Sequence, residues 1–135
     1  MSPERRILLA DDDPREIELF LLAMGKLNLA HRVDVVQDGE AALDYLARSR
    51  ASFPAVAILD LKMPVLGGLE VLRLIRSDPE LNPLPVVFFT SSMQERDHQD
   101  STDGGVNDYV VKPLDLADYM AAVERLGTRW VLEGD

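Results

Sequence analysis

Short apolar runs alternate along this chain with longer stretches whose apolar residues recur every three or four positions. Residues 5–10 end in Ile7-Leu8-Leu9-Ala10 and read as a buried strand. Asp13-Pro14-Arg15-Glu16 then carries a capping residue, a proline at the first helical position and a Glu three residues after the cap. Ile17, Phe20, Leu21, Met24 and Leu27 follow at helical spacing. Residues 32–36 predict a second strand, and Asp38-Gly39 opens a helix through Ala42, Leu43, Leu46 and Ala47. Residues 55–59 are apolar throughout, as expected of a strand covered on both faces. Met63-Pro64 and Gly67-Gly68 frame a loop before the stripe Leu69, Leu72, Ile75. A fourth strand is predicted over 86–89, a helix within the polar stretch 91–103, a fifth strand over 107–111, and a last helix through Leu116, Met120, Val123 and Leu126. Five such βα units imply an α/β fold with a parallel sheet covered by helices on both faces, since parallel strands need right-handed crossovers.

In folds of this kind the ligand site lies beyond the carboxyl ends of the strands. Asp11, Asp12 and Asp13 follow the first strand, Asp60 the third, Thr90-Ser91-Ser92 the fourth, and Lys112-Pro113 the fifth. Asp13 and Asp38 read as helix caps, and Ser91 and Ser92 as candidates to cap the next helix. The remaining carboxylates would repel one another, raising one or more of their pKa values. A hard divalent cation relieves that repulsion, and an all-oxygen donor set favours Mg²⁺ over Zn²⁺. A metal-bound carboxylate with a hydroxyl and a lysine beside it can hold a phosphoryl group on an acyl oxygen, and an aspartate can be the nucleophile.

Composition narrows this further. The chain has 135 residues, enough for one domain, with 47% hydrophobic and 28% charged residues. The absence of cysteine excludes disulfides, thiol nucleophiles and thiolate metal sites, and suits a reducing cytoplasm. With 24 acidic against 14 basic residues, a net charge of −10, most of the surface repels nucleic acid. No apolar run is long enough for a membrane span, and the N-terminus does not read as a secretory signal. His31 and His98 read as solvated side chains.

The blocks Ile7-Leu8-Leu9-Ala10-Asp11-Asp12-Asp13-Pro14, Ile58-Leu59-Asp60-Leu61-Lys62-Met63-Pro64, Thr90-Ser91 and Asn107-Asp108-Tyr109-Val110-Val111-Lys112-Pro113 resemble, in order, the signature of a two-component response-regulator receiver domain. The resemblance implies a flavodoxin-like (βα)5 fold, doubly wound, with strand order 2-1-3-4-5. It implies Asp60 as acceptor of a phosphoryl group from a sensor histidine kinase, Asp12 as a direct Mg²⁺ ligand, Asp11 as support for the metal and the backbone carbonyl of Lys62 as a third protein ligand. It also implies Thr90 as switch hydroxyl, Tyr109 as switch aromatic, Lys112 as partner of the phosphate, and a cis Lys112–Pro113 bond. The segments 81–87, 105–109 and 126–132 further resemble the small receiver-only regulators paired with bacterial phytochromes, which makes a bacteriophytochrome a candidate kinase.

The chain is accordingly expected to be a single receiver domain over 1–135, with a C-terminal helix and tail over 115–135 and no output domain. It would act as a phosphoacceptor switch with protein contacts as its output, not as a metabolic enzyme. The alternatives are a phosphohydrolase of the haloacid-dehalogenase type, in which Asp11, Asp13, Thr90 and Lys112 would serve and Asp60 would be idle, and a receiver-like adaptor that takes no phosphate. The tail Trp130-Val131-Leu132 reads as an uncovered apolar cluster, so a homodimer is expected through Tyr119, Val123, Trp130 and Leu132. One feature departs from the pattern: the helix predicted before the fifth strand carries no aliphatic residue, with His98, Thr102 and Gly104 where an apolar face is expected. Its order, and its use as a switch surface, are thereby put in question.

Overall fold

The computed structural model describes residues 4–133. The ends of the span expected as one domain, residues 1–3 and 134–135, lie outside the described residues. Five strands, β1 (Ile7–Ala10), β2 (Val33–Val36), β3 (Val56–Leu59), β4 (Val86–Thr90) and β5 (Asp108–Val111), form one sheet. Every pairing is parallel and the order is β2-β1-β3-β4-β5. The helices are α1 (Pro14–Lys26), α2 (Gly39–Arg48), α3 (Gly68–Ser77), α4 (Glu95–Asp103) and α5 (Leu116–Gly127). This is the doubly wound fold that the pattern of runs and stripes predicts.

Alternation along the strands divides the core. Ile7, Leu9, Ile58, Val87 and Phe89 face α1 and α5, where Phe20, Met24, Val123 and Leu126 meet them. Leu8, Ala10, Ala57, Leu59, Val86 and Phe88 face the other way, onto Leu46 of α2 and Leu72 and Ile75 of α3. β1, β3 and β4 are buried at every residue, which explains their unbroken apolar runs. Phe88 is wholly buried, and trimming it to alanine would cost roughly 3–5 kcal/mol.

The helix starts follow their caps. The Asp13 carboxylate accepts from the Arg15 N–H at 2.9 Å, and that of Asp38 from the Ala41 N–H at 2.7 Å. Gly39 is required by space: a Cβ there would collide with the Leu66 carbonyl, so α2 begins hard against the loop after β3. At the opposite edge of the sheet Arg6 grips Asp34 with Nε at 2.8 Å and Nη2 at 2.9 Å, and the Tyr45 hydroxyl donates to the same carboxylate.

One question raised by the sequence is answered, and two expectations need correction. The polar stretch before β5 forms a regular helix, α4, without aliphatic residues. It docks through small groups. Ser101 is buried and its hydroxyl donates to the Asp97 carbonyl at 2.7 Å, while Gly104 lies so close to Leu72 that a Cβ would stand 3.1 Å from its Cδ2. The Lys112–Pro113 bond is trans, as are all peptide bonds among the described residues. Trans is the lower-energy isomer by about 0.5–1 kcal/mol, and the Lys112 N–H meets the Thr90 carbonyl at 2.7 Å with the chain in this form. The proposed interface residues Tyr119 and Val123 are 5% and 0% exposed and belong to the domain's own core. The tail follows them inward as a π-helical turn (Thr128–Leu132) that buries Val131, with Trp130 packed against the same core and, of its apolar residues, only Leu132 well exposed.

Candidate phosphoacceptor site

Register brings the site together. Ala10 pairs with Leu59, so the next residues, Asp11 and Asp60, emerge side by side, and the Asp60 N–H donates to the Ala10 carbonyl at 2.9 Å. Thr90 ends β4 beside Val111, the residue before Lys112. Asp11, Asp12 and Asp60 each place a carboxylate oxygen within 4.8 Å of the others. Asp13, by contrast, is turned to its capping role.

Lys112 is the centre of charge. Its Nζ lies 3.0 Å from Asp11 Oδ2, 3.0 Å from Asp60 Oδ2 and 3.0 Å from Glu16 Oε2. An ammonium has three donors, and here each has a carboxylate. Burial works against its charge, but Asp60 and Asp11, with the Glu16 and Asp11 hydrogen bonds, outweigh that and lift its pKa above the usual lysine value. Desolvation pushes the Asp11 carboxyl up, with the Asp13 N–H and Lys112 opposing it. The Glu16 carboxyl is likewise pushed up by burial against the pull of Lys112.

Two threads lead outward from this cluster to α4. The Thr90 hydroxyl, fully buried, accepts from the Ser92 N–H at 3.3 Å. The Ser92 hydroxyl donates to Asp97 on α4 at 2.5 Å, and Lys62, two residues past Asp60, approaches the same Asp97 oxygen at 3.6 Å. Ser92 is not the N-cap of α4: that position is Gln94, which makes no side-chain capping bond. Tyr109 on β5 donates its hydroxyl to the Ser92 carbonyl at 3.1 Å. His98 of α4 stacks on the Tyr109 ring, so it is not merely a solvated side chain.

The loop after Asp60 is confined. Gly68 leaves room for the Asp60 carbonyl, where a Cβ would stand 2.5 Å from the oxygen. Val65, 75% exposed, takes φ +65°, a left-handed conformation that strains a β-branched residue.

Asp11, Asp12, Asp60, Thr90 and Lys112, named from the sequence, all stand at the carboxyl edge of the sheet, and Tyr109 lies on the path to α4. The spacing of Glu16 from Asp13 points only to a role at the start of α1, yet its carboxylate lies 3.0 Å from Lys112 Nζ. Its signal was its place in the first turn of α1, directly above the carboxyl end of β1.

The response regulator receiver domain model matches residues 7–124, and the chain belongs to that family. It is 30% identical over 134 residues to the response regulator Rcp1 of Synechocystis sp., covering 96% of this chain and 91% of Rcp1. The structure of the phosphorylated cyanobacterial phytochrome response regulator RcpA superposes with a TM-score of 0.90 at 34% identity, covering 98% of this chain and 97% of RcpA. The bacteriophytochrome response regulator RtBRR is 46% identical with a TM-score of 0.74, covering 93% of this chain and 79% of RtBRR. The chain is thus a two-component receiver whose relatives include phytochrome-associated regulators.

Proposed function

We propose that this protein is a single-domain phosphoacceptor switch that takes a phosphoryl group from the phosphohistidine of a sensor histidine kinase onto Asp60. The observation that carries this reading is the placement of Lys112 Nζ 3.0 Å from Asp60 Oδ2, within a cluster of carboxylates and beside the strand that ends in Thr90. An Asp60 carboxylate oxygen attacks phosphorus, the P–N bond breaks, and the imidazole nitrogen keeps the electron pair. Lys112 neutralises charge on the phosphoryl oxygens and the Thr90 hydroxyl donates a hydrogen bond to them.

The donor set fits a divalent cation. Three oxygen-bearing acids crowd together and the buried one, Asp11, has its carboxyl pushed up by burial. Asp12, the exposed member, would hold Mg²⁺ directly, with Asp11 in support and the Lys62 backbone carbonyl and Asp60 completing the protein's share. Bound there, Mg²⁺ would offset the negative charge of the incoming phosphoryl group.

The hydrolase alternative asks Asp11 to be the nucleophile. Asp11 is 4% exposed, with Oδ1 taken by the Asp13 N–H at 2.9 Å and Oδ2 by Lys112, whereas the Asp60 side chain keeps 13% exposure. The likeness to RcpA, a phytochrome response regulator, and RtBRR, a bacteriophytochrome response regulator, supports a phytochrome-type kinase as the partner, in the cytoplasm, with protein contacts as the output. Self-association through the tail, now with Leu132 and Trp130 as its candidates, belongs to the same reading. Among the described residues no helix is long and apolar enough to cross a membrane.

The decisive measurement is intact mass after incubation with acetyl phosphate and Mg²⁺. The wild type gains one phosphoryl group, and Asp60→Asn gains none. A phosphoryl group that persists in Asp60→Asn would refute the assignment. A wild type that takes neither phosphate nor beryllofluoride would favour the adaptor.

A further inference from the structure

Of the three carboxylates around Lys112, two belong to the group that can hold a cation, and Glu16 does not. This asymmetry matters because the cation and the ammonium draw on the same oxygens. Asp11 has no idle oxygen: Oδ1 accepts from the Asp13 N–H and Oδ2 from Lys112. Asp60 Oδ2 is also committed to Lys112, and its Oδ1 faces the Lys62 N–H at 3.4 Å. A divalent ion arriving on these acids repels the ammonium. The Lys112 side chain is only 5% exposed, so it has no ready exit to water, and an unpaired buried ammonium is costly. Glu16 approaches from α1 on the more open side, with 29% of its side chain exposed. It supplies an anionic partner outside the cation-holding group.

We propose that Glu16 is a positioning residue for Lys112, retaining the ammonium at the rim of the site while a divalent cation settles among Asp11, Asp12 and Asp60 and a phosphoryl group is then added to Asp60. This rests on the phosphoacceptor reading of the site. Without the Glu16 charge, Lys112 depends on Asp11 and Asp60 alone and competes harder with the cation.

The test is a double-mutant cycle on Mn²⁺ affinity, read from the electron paramagnetic resonance signal of the free ion. Wild type, Glu16→Gln, Lys112→Met and the double variant are compared. With Lys112 present, Glu16→Gln should weaken Mn²⁺ binding on the order of tenfold, the scale for losing an outer partner of a metal site. In the Lys112→Met background the same change should alter affinity by less than about twofold, the limit of ordinary additivity. Equal weakening in both backgrounds would make Glu16 only a charge near the ion and overturn the proposal, as would no weakening in either. Should Lys112→Met fail to fold by circular dichroism, Glu16→Asp decides. It keeps the charge but is one methylene short of Lys112, so affinity as weak as that of Glu16→Gln supports the contact and full recovery overturns it. A wild type that binds no Mn²⁺ would remove the metal-dependent phosphoacceptor reading together with this one. Mn²⁺ binding without coupling would remove only the role of Glu16.

Discussion

His98 lies nearly parallel to Tyr109, with 4.7 Å between ring centres and 27° between planes. The edge of Phe88 meets Tyr109 at 6.3 Å and 88°. The ring of the switch candidate is thus gripped from the core and from α4 at once. This stacking gives α4 part of the anchorage that aliphatic residues supply in an ordinary amphipathic helix. His98→Ala should lower stability by about 0.5–1.5 kcal/mol, the range for an aromatic pair beyond simple burial, and His98→Phe should restore most of it. Urea denaturation followed by far-ultraviolet circular dichroism would measure both; an unchanged midpoint for His98→Ala would show that the stack carries no energy.

Asp11 has a carboxyl raised by desolvation, so the folded state binds its proton more tightly than the unfolded chain does. Stability from this group is then greatest below the ordinary carboxylate pKa and is lost as pH rises through the raised value. In metal-free buffer Asp11→Asn should therefore melt higher than the wild type at neutral pH, with the gap closing toward pH ~4. Asp34 has the opposite sign: the Arg6 hydrogen bond lowers its carboxyl, so its contribution is present above the ordinary value and fades as pH falls. Thermal melts across pH would show the two slopes, and a gap independent of pH would contradict the assignment to Asp11.

Mg²⁺ should raise the melting temperature of the wild type, because an ion that binds only the folded state stabilises it, by about 2.7 kcal/mol at a hundred times its dissociation constant. Asp12→Ala should abolish most of that rise, since Asp12 is the exposed member of the acid group. A full Mg²⁺ response in Asp12→Ala would move the ion elsewhere.

Val65 pays for its left-handed backbone with no burial in return. Val65→Gly should stabilise the fold by about 1 kcal/mol, relief of strain exceeding the entropy that glycine adds to the unfolded chain. Calorimetry would show a rise of a few degrees. A fall would mean that the exposed isopropyl group makes contacts that matter.

If the chain self-associates through its tail, Leu132→Glu should shift it to monomer in sedimentation velocity without lowering its melting temperature, because Leu132 is 54% exposed. A wild type that remains monomeric at high micromolar concentration removes the dimer from the functional reading.

The sequence made β1, β3 and β4 legible because strands buried on both faces must be apolar at every position, and the acids that follow them mark the abrupt exit from the core. Asp11, Asp60 and Thr90 were readable for the same reason, whereas Lys112 follows the half-exposed β5 and was readable only through the block Asn107 to Pro113. Glu16 was not: its partner is 96 residues away, and the local pattern with Asp13 offered a sufficient explanation of its own. The tail misled in the other direction. Apolar residues past the end of α5 looked uncovered, but the π-helical turn rotates Val131 back onto the core, a change of period that no straight helical count anticipates. The docking of α4 was hidden because small residues reveal their packing only once Leu72 is placed beside them.

The missing side chains of Gly39 and Gly68 have a mechanical consequence. The backbone of Leu66 fills the space a Cβ would take at Gly39, and the Asp60 carbonyl crowds the one at Gly68. The loop behind the acceptor is thus backed by α2 and α3 with no slack. On the far side the connections are side-chain links, Lys62 to Asp97 and Ser92 to both Asp97 and Tyr109, which can lengthen or break without moving a packed backbone. A bulky group added at Asp60 therefore meets a wall in one direction and a yielding suspension in the other, so displacement is rectified toward α4 and β5.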